Sequence, residues 1–317
     1  VATEKCETIA EESINISVPA VKRFNLLVVG TSGSGKTTFC TRLLRPYFPG
    51  LVLKSPQGPT KKIEERGRCE KVQGDTRIIV TVVDTPGWGD SLDNNDRFEP
   101  IEKYIEEQND EYERNELYRK PNHQEEDTRI HCCFYFLSPH RVSPLDCQFM
   151  KRLQPRVAIV PIISKADTMV VSELATHLQN IRNCLDKHFI EVFDFKEKNI
   201  DEHWLEGPSH DRDTFIQVGS NLGGSATNSR AQMHGYSEEQ ENVLTIPYLE
   251  LSALPRIRNV FAVISGIRRY MWYTVTEEDE RHSDTQRLHG ILFQAGSLGM
   301  LRQHADEIHE GWRLKRE

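Results

Sequence analysis

Residues 30–37 read Gly30-Thr31-Ser32-Gly33-Ser34-Gly35-Lys36-Thr37 and match the pattern Gly-x4-Gly-Lys-Thr in full. The apolar run Phe24 to Val29 comes before this stretch, and Phe39 and Leu43 follow it at helical spacing. A strand, a glycine-rich loop and a helix in that order build a phosphate-binding loop. A chance glycine-rich turn is the alternative, but such a turn does not require the flanking strand and helix.

Each residue type in this loop has a chemical reason to be there. Glycines let the backbone N–H groups curl round phosphate oxygens, and Lys36 can meet the β and γ oxygens of a nucleoside triphosphate. Thr37 presents a hydroxyl to Mg²⁺. The phosphates are therefore expected to lie against Gly30, Thr31, Ser32, Gly33, Ser34, Gly35, Lys36, Thr37 and Thr38.

A second motif, Asp84-Thr85-Pro86-Gly87, follows the β-branched run Ile78 to Val83. Asp84 stands where a carboxylate near the Mg²⁺ belongs, and the N–H of Gly87 stands where a γ-phosphate could be sensed. Any strand end can carry Asp before a Pro-Gly turn, so this motif gains its meaning from the phosphate-binding loop.

A third motif, Ser164-Lys165-Ala166-Asp167, follows the apolar run Val157 to Ile163. The Asp167 carboxylate can accept from the N1–H and the exocyclic amine of guanine. Adenine offers neither donor there and would leave a buried acceptor unpaired. The stem of Lys165 would lie along the ring of the base. The alternative is an ordinary solvated ion pair at a strand end.

The apolar runs predict the strands of an α/β fold, a doubly wound phosphate-binding sheet. Buried strands are predicted at Phe24 to Val29, Ile78 to Val83, His131 to Leu137 and Val157 to Ile163. The ligand is expected at the carboxyl ends of these strands, where all three motifs fall. Residues 51–74 predict a loop and residues 101–127 an acid-rich helix. An apolar stripe from Leu288 to Trp312 could pack on the domain or serve a partner.

Composition excludes several classes of protein. The 317 residues include 48 acidic and 40 basic side chains, a formal net charge of −8, which argues against nucleic acid as a partner. No apolar run reaches the roughly 18 residues of a membrane span. Seven cysteines without a Cys-x-x-Cys pair suggest free thiols rather than disulfides or a zinc site. With no signal-peptide pattern, they favour a cytoplasmic location.

Together the three motifs, with the continuation Trp88-Gly89-Asp90, resemble the septins, a family of filament-forming GTP-binding proteins. Further segments extend the resemblance over most of the chain. They are His131-Cys132-Cys133-Phe134-Tyr135-Phe136, Ser143-Pro144-Leu145-Asp146, Ile159-Val160-Pro161-Ile162-Ile163-Ser164, Arg268-Arg269-Tyr270-x-Trp272 and His309-Glu310-x-Trp312-Arg313. The resemblance implies GTP or GDP with Mg²⁺ as ligands, and an antiparallel hairpin and C-terminal helices added to the sheet.

The resemblance also assigns roles to four further residues. Thr60 resembles a switch threonine that reaches Mg²⁺ and the γ-phosphate, with a surface-loop threonine as the alternative. Glu173 and His140 match positions that contact a neighbouring subunit across the nucleotide. Otherwise they are a helix N-terminal acid and a solvated loop histidine. Arg268 matches the arginine that lies against guanine, although the residues on either side of Trp272 depart from the family pattern.

Two segments compete for the strand end on the guanine side of the site. Val218-Gly219-Ser220-Asn221 matches the family's Gly-Ser-Asn literally, and Ile264-Ser265-Gly266 resembles it. Gly219 is favoured because it lies at about the family's distance from Asp167, which makes residues 223–255 an insertion. The expected organisation is a tail at 1–20, a GTP-binding domain at 21–275 and C-terminal helices at 276–317.

The resemblance implies a GTPase whose catalytic residues are Lys36, Thr37, Thr60 and Gly87. Trp88 occupies the position where a water-orienting glutamine would be needed, so slow hydrolysis by an isolated subunit is expected. A neighbouring subunit could raise that rate by contributing a residue across the nucleotide. The alternative is a structural subunit that keeps GTP or GDP as a fixed cofactor.

The resemblance further implies a cytoskeletal subunit at the cell cortex or division site, with a part in cell division. It would join copies of itself or other septins, as dimers and filaments, through nucleotide-facing and terminal-helix interfaces. A membrane surface is a possible partner, although only Lys22 and Arg23 stand where the family carries a basic segment.

Overall fold

The structure is a computed structural model that describes residues 20–48, 62–73, 76–87, 95–118, 127–195, 259–271, 274–278, 280, 283–294 and 296–316. All of these residues belong to one compact unit.

Six strands form the main sheet, in the order β2-β3-β1-β4-β5-β6. Their bounds are β1 Ala20–Gly30, β2 Glu64–Gln73, β3 Thr76–Asp84, β4 Cys132–Leu137, β5 Ile159–Ile163 and β6 Phe261–Ala262. All neighbours in this sheet are parallel except β2, which is antiparallel to β3. A separate two-stranded antiparallel hairpin joins β7 (Arg268–Arg269) to β8 (Thr274–Val275). The predicted α/β sheet and hairpin are confirmed.

Helices connect the strands and follow them at the end of the chain. Their bounds are α1 Lys36–Leu44, α2 Asn95–Leu117, α3 Pro144–Leu153, α4 Val171–His188, α5 Thr285–Gln294 and α6 Ser297–Leu314. A single 3₁₀ turn, Ala166–Thr168, lies between β5 and α4. None of the helices that the structure describes combines the length and the apolar character needed to cross a membrane.

Strand β4 shows how both faces of the sheet become buried. Tyr135 packs with Phe149 of α3, at 6.1 Å between ring centroids, in a core that also includes side chains from α2 and α4. Phe134 and Phe136 meet Phe39 of α1 on the opposite face, at 6.5 and 5.6 Å. Since side chains alternate between faces, a strand covered on both sides must be apolar throughout. Every residue of β4 and β5 is accordingly buried.

The loop predicted over residues 51–74 is wrong for its second part, which forms β2. This strand lies at the edge of the sheet, with Cys69 opposite Val80 and Glu70 paired with Arg77. An edge strand tolerates charged residues, because one of its sides is not covered by another strand. Because β2 contains many charged residues and a glycine, it lacks the hydrophobic pattern by which a strand is predicted.

The structure locates Gly266, the second candidate for the strand end on the guanine side of the site. The strand that pairs with β5 is β6, with Phe261 opposite Ile162. The Val263 N–H then donates to the Ile163 carbonyl at 2.9 Å, so Gly266, the second candidate, follows the strand next to β5. Gly219 and residues 223–255 lie outside the described residues.

The acid-rich helix α2 starts and ends earlier than the predicted residues 101–127. Phe98, Ile101 and Ile105 are buried in the core, while Glu99 and Glu107 are exposed. The helix is amphipathic, and most of its acids lie on the solvated face that the sequence indicates, although Glu102 is buried.

The apolar stripe at the end of the chain packs on its own domain. Leu288, Ile291 and Leu292 of α5 and Leu301 and Ala305 of α6 are buried without any partner chain. Gly296 caps the start of α6 and lies between the two helices. Most of the stripe is thus core, and it provides little apolar surface for a second subunit.

The expectation of free thiols is wrong for one pair of cysteines. Cys147 of α3 and Cys184 of α4 form a disulfide, with 6.3 Å between their Cα atoms. The sulfurs meet because the two helices pack against each other, which spacing along the sequence does not reveal. Among the other described cysteines, Cys40, Cys69, Cys132 and Cys133 are free and buried.

Candidate functional site

The three sequence motifs lie at the same edge of the sheet. The phosphate-binding loop follows β1, Asp84 ends β3, and the Lys165–Asp167 turn follows β5. These strands are parallel, so their carboxyl ends point the same way. The edge matches the position where doubly wound sheets bind their ligands.

The loop between β1 and α1 has the curled shape that phosphate binding needs. The Ser34 N–H donates to the Thr31 carbonyl at 3.3 Å, and the helix begins with a bond from the Phe39 N–H to the Gly35 carbonyl. Gly35 has φ 86°, which favours a residue without Cβ. Thr38 is exposed at the start of α1.

Lys36 is buried and its ammonium group lies inside this loop. Its Nζ donates to the Gly30 carbonyl at 3.0 Å and to the Thr31 carbonyl at 2.8 Å. Burial lowers the pKa of this ammonium, and the nearby Asp84 carboxylate offsets part of the shift. The lysine is thus held within the loop by two carbonyl oxygens that a bound phosphate could replace.

Thr37 and Asp84 bring two oxygen atoms together beside the loop. The Thr37 hydroxyl donates to Oδ2 of Asp84 at 2.9 Å. Asp84 is buried, and the next residue, Thr85, is fixed by a bond from its hydroxyl to the Val28 carbonyl. A hydroxyl and a carboxylate are hard oxygen donors of the kind that Mg²⁺ prefers, so this pair fits a magnesium site.

Gly87 lies directly against the phosphate-binding loop. A Cβ at this position would stand 2.5 Å from both the backbone nitrogen and the Cα of Ser32. No real Cβ tolerates such a contact with backbone atoms, so the approach requires glycine. The structure therefore brings the second motif into contact with the first.

The carboxylate of Asp167 is buried on the predicted base side of the site. Its side chain is 4% exposed, and Oδ2 accepts from the Tyr270 hydroxyl at 2.6 Å. The Arg268 Nε lies 3.9 Å from the same oxygen. Lys165 is exposed and has φ 52°, a left-handed conformation that turns the chain into the 3₁₀ segment. The structure thus brings Lys165, Asp167 and Arg268 together, as the sequence predicts.

Tyr270 was not singled out from the sequence, although it lies between Arg268 and Trp272 in a quoted motif. Its hydroxyl reaches Asp167 only because the β7–β8 hairpin folds back towards the turn after β5. The signal that could have found it is a tyrosine two residues after the expected base-contacting arginine.

Glu277 is a second residue that the sequence does not indicate. It accepts from Arg42 of α1 at 2.6 Å and from the Gly266 N–H at 2.7 Å. The carboxylate therefore connects the helix after the phosphate-binding loop to the turn after β6. Ser265 lies close by, with its hydroxyl oxygen 3.6 Å from the place of a Cβ on Gly35.

His140 and Glu173 lie near each other on the surface. His140 Nδ1 is 4.0 Å from Glu173 Oε2, and both side chains are about half exposed, at 50% and 51%. Glu173 also accepts from the Val170 N–H at 3.0 Å at the start of α4. This bond fits the alternative of a helix N-terminal acid, and the exposure leaves both groups accessible to a neighbouring molecule.

Thr60 lies outside the described residues, as do Trp88, Gly219 and Trp272. Their predicted roles stay predictions. In the part of the chain that the structure describes, no group of three or more His, Cys, Asp or Glu side chains could hold a metal ion. Of the three residues predicted to hold Mg²⁺, the structure describes Thr37 and Asp84.

Comparison with a solved structure agrees with this fold. The crystal structure of the septin GTPase domain from Chlamydomonas reinhardtii superposes with a TM-score of 0.65 at 23% identity. The match covers 93% of this chain and 99% of that chain. At this identity the likeness concerns the fold alone.

Comparison of sequences identifies the family. Septin-1 of Mus musculus is 32% identical over 302 residues, which cover 92% of this chain and 73% of that protein. Neuronal-specific septin-3 of Mus musculus is 36% identical over 202 residues, or 62% of this chain and 57% of that protein. The family model described as Septin matches residues 21–316. Since that match spans nearly the whole sequence, this chain belongs to the septin family.

Proposed function

We propose that this chain binds a guanine nucleotide with Mg²⁺, hydrolyses GTP slowly, and serves as a filament-forming cytoskeletal subunit. The observation that carries the proposal is the placement of three chemically different groups at one edge of the sheet. Lys36, Asp84 and Asp167 follow or end β1, β3 and β5 there. They supply a cation for phosphates, a carboxylate for a metal ion and a carboxylate for a base. Septin membership supports the same ligand.

The phosphate part of the proposal depends on Lys36. Its ammonium is buried against the Gly30 and Thr31 carbonyls, an environment that disfavours an uncompensated charge. Negative phosphate oxygens would pair with this charge far better than neutral carbonyls do. Binding of a triphosphate is therefore expected to draw the Lys36 side chain onto the β and γ oxygens.

Thr37 and Asp84 are the residues that would hold Mg²⁺. Their oxygens already lie 2.9 Å apart, so little rearrangement is needed to direct both towards one point. When bound, the ion would neutralise charge on the phosphate oxygens. The chain's own part is to fix the threonine hydroxyl and the carboxylate in that position.

Hydrolysis would depend on the loop that faces the γ-phosphate. Gly87 is pressed against Ser32, so its N–H is close to any phosphate held by the loop. Thr60 is proposed to complete this arrangement as the switch residue. Trp88, the residue after Gly87, has no group that can orient a water as a glutamine amide does. Turnover by a single subunit is therefore proposed to be slow.

Assembly is proposed to bring a second subunit to the exposed side of the nucleotide site. His140 and Glu173 lie within 4.0 Å of each other and are half exposed, so a neighbour could contact both. The terminal helices bury most of their apolar stripe within the chain, so an interface there would use their polar surface. The proposed locations are the cell cortex and the division site, with a membrane surface as a possible partner.

A structural subunit that keeps GTP or GDP as a fixed cofactor is the second candidate. It uses the same nucleotide site and differs only in turnover. The position of Trp88 in the sequence favours this candidate, because a subunit that hydrolyses GTP slowly behaves much like one whose nucleotide is fixed.

Base selectivity tests the proposed nucleotide. Competition against a fluorescent GDP analogue should show that the purified chain binds GDP about 10- to 100-fold more tightly than ADP, because adenine offers no donor to the buried Oδ1 of Asp167. The side-chain amide introduced by Asp167→Asn has one acceptor and one donor. This variant should therefore bind GDP more weakly and XDP more tightly, because xanthine carries a carbonyl in place of the exocyclic amine of guanine. Asp186→Asn, at an exposed site on α4, is the matched control and should leave both affinities unchanged. Equal or tighter binding of ADP by the wild type would reject the guanine site.

A further inference from the structure

The Asp167 carboxylate has one oxygen with a donor and one without. Oδ2 accepts from the Tyr270 hydroxyl at 2.6 Å, and that hydroxyl also lies 3.3 Å from the Asp167 carbonyl. Within the described ranges, Oδ1 is buried and no hydrogen-bond partner reaches it. The two oxygens of this base-reading group are therefore not equivalent before any nucleotide binds.

Tyr270 is held so that its hydroxyl can keep this contact. Its ring packs on the hydrophobic core, and it follows β7, whose Arg268 and Arg269 pair with Val275 and Thr274 of β8. A ring fixed by packing loses little further entropy when its hydroxyl donates, so the bond to Asp167 should persist in the bound state.

The number of acceptor sites on a carboxylate makes room for both the tyrosine and a base. An ionised carboxylate has about four lone-pair sites on its two oxygens. Guanine brings two donors, its N1–H and its exocyclic amine. Oδ1 can take one of them while Oδ2 takes the other and keeps the Tyr270 hydroxyl.

We propose that Tyr270 is a specificity-determining residue. By donating to Oδ2 of Asp167, it allows the site to bind a base that lacks the exocyclic amine of guanine. This inference rests on the proposed guanine-nucleotide site. A hypoxanthine base has the N1–H but no amine, so one carboxylate oxygen loses a donor. With Tyr270 present, Oδ2 still has a partner, and the N1–H can serve Oδ1. The substrate class of this site therefore includes inosine nucleotides beside guanine nucleotides.

The inference predicts a specific pattern of affinities. Losing one hydrogen bond without leaving an orphaned acceptor should weaken IDP relative to GDP by less than about tenfold in the wild type. In Tyr270→Phe the same loss leaves Oδ2 without a donor, and the IDP-to-GDP ratio of dissociation constants should rise about tenfold further. The phenylalanine ring preserves the packing, so GDP itself should change less than IDP.

Titration calorimetry with GDP and IDP on the wild type and Tyr270→Phe measures this pattern. Tyr112→Phe is the matched control, since it removes an exposed hydroxyl that bonds Glu116 on α2, far along the chain from this motif. A merely structural role for Tyr270 would weaken both nucleotides equally and leave their ratio unchanged. An unchanged ratio in a variant with the wild-type melting temperature overturns the inference.

The wild type alone provides a second measurement, in case Tyr270→Phe does not fold. A preference for GDP over IDP of about 100-fold or more would contradict the inference, because it would mean that Oδ2 is left unpaired despite Tyr270. If the wild type binds neither GDP nor IDP, the proposed function fails. If it binds GDP and only the ratios disagree, the inference about Tyr270 fails alone.

Discussion

At the scale of single residues, the site depends on close approach between segments that are distant in the sequence. Gly87 touches Ser32, and Tyr270 touches Asp167. Both partners of the first pair come from predicted motifs, whereas the role of Tyr270 follows only from its contact with Asp167. Substitutions of Gly87 and Tyr270 should therefore affect nucleotide binding more than they affect stability.

Gly87→Ala is predicted to weaken GTP binding by about tenfold or more, since overpacking costs about 1–3 kcal/mol. The new Cβ would stand 2.5 Å from the backbone of Ser32, so the phosphate-binding loop must shift. Competition against a fluorescent GTP analogue measures the affinity. Gly299→Ala is the matched control, because a Cβ there meets nothing within 4 Å.

The control variant Gly299→Ala also has a predicted effect on stability. Gly299 lies inside α6, where alanine favours the helix by about 0.5–1 kcal/mol. Gly299→Ala should therefore raise the melting temperature and leave GTP affinity unchanged. Full GTP affinity in Gly87→Ala would show that the loop does not need the contact with Ser32.

At the scale of elements, a buried ion network joins α6 to the sheet, at the end of β1 and β4 opposite the phosphate-binding loop. Asp127 is 2% exposed and pairs with Arg129 at 2.9 Å and with His131 at 3.0 Å. The Asn25 N–H donates to His131 Nδ1, so the other ring nitrogen carries the proton that faces Asp127. Arg129 also pairs with Asp306 of α6 at 2.7 Å.

Asp127→Asn is predicted to lower the free energy of unfolding by about 3–5 kcal/mol at pH 7, because it leaves the buried Arg129 guanidinium without its buried carboxylate. Urea denaturation followed by circular dichroism measures the loss. Asp110→Asn, which removes an exposed ion pair with Arg316, should cost less than about 1 kcal/mol. Equal losses in the two variants would mean that the buried network adds no more than a surface pair.

The pH dependence of the same variant has a definite sign. Burial alone would raise the pKa of Asp127, but bonds from His131 and Arg129 together hold it well below its usual 3.8. A carboxyl group whose pKa is lower in the folded state stabilises the fold at pH values above its unfolded-state pKa. That stabilisation is lost progressively as the pH falls from the unfolded-state pKa towards the folded-state pKa. The stability difference between wild type and Asp127→Asn should therefore be constant from pH 7 to about pH 5 and shrink below about pH 4.

At the scale of the whole molecule, the proposed slow turnover links activity to assembly. His140 and Glu173 are half exposed and are proposed to face a neighbour across the nucleotide, whereas most of the apolar stripe of α5 and α6 is buried within the chain. An interface that includes the nucleotide can add a residue to the reaction, while one that does not include it can only tether subunits.

Turnover per subunit is predicted to rise with protein concentration through the range in which dimers form. A residue supplied by a neighbour, such as an arginine, can raise the rate by up to about 10³–10⁵-fold. Phosphate release measured across a dilution series, with light scattering on the same samples, tests this. A rate constant that does not change while scattering reports dimers would sink the proposal of a contribution in trans.

Thr60→Ala is the control for that series. It should keep its nucleotide and its light-scattering profile but lose turnover, because it removes only the proposed switch hydroxyl. If the wild type forms dimers and filaments with no turnover at any concentration, the fixed-cofactor alternative is the better description.

Much of the fold could be predicted because its central strands are buried on both faces. The runs around Phe134 and Ile162 are apolar throughout, as a covered parallel strand must be. β2 and β6 could not be predicted in the same way. One is a charged edge strand, and the other has only two residues and follows a long segment that obscures its register.

The sequence by itself determined the phosphate-binding loop, because the order strand, glycine-rich loop and helix is local and each residue type has a fixed chemical task. It also determined Asp167 as a candidate for recognising guanine, because Asp167 lies just after a predicted strand end. Only the tertiary structure decided which segment follows the strand beside β5, that Cys147 meets Cys184, and that Tyr270 donates to Asp167. Those contacts join residues far apart in the chain, and their distances are set by packing of whole elements rather than by local pattern.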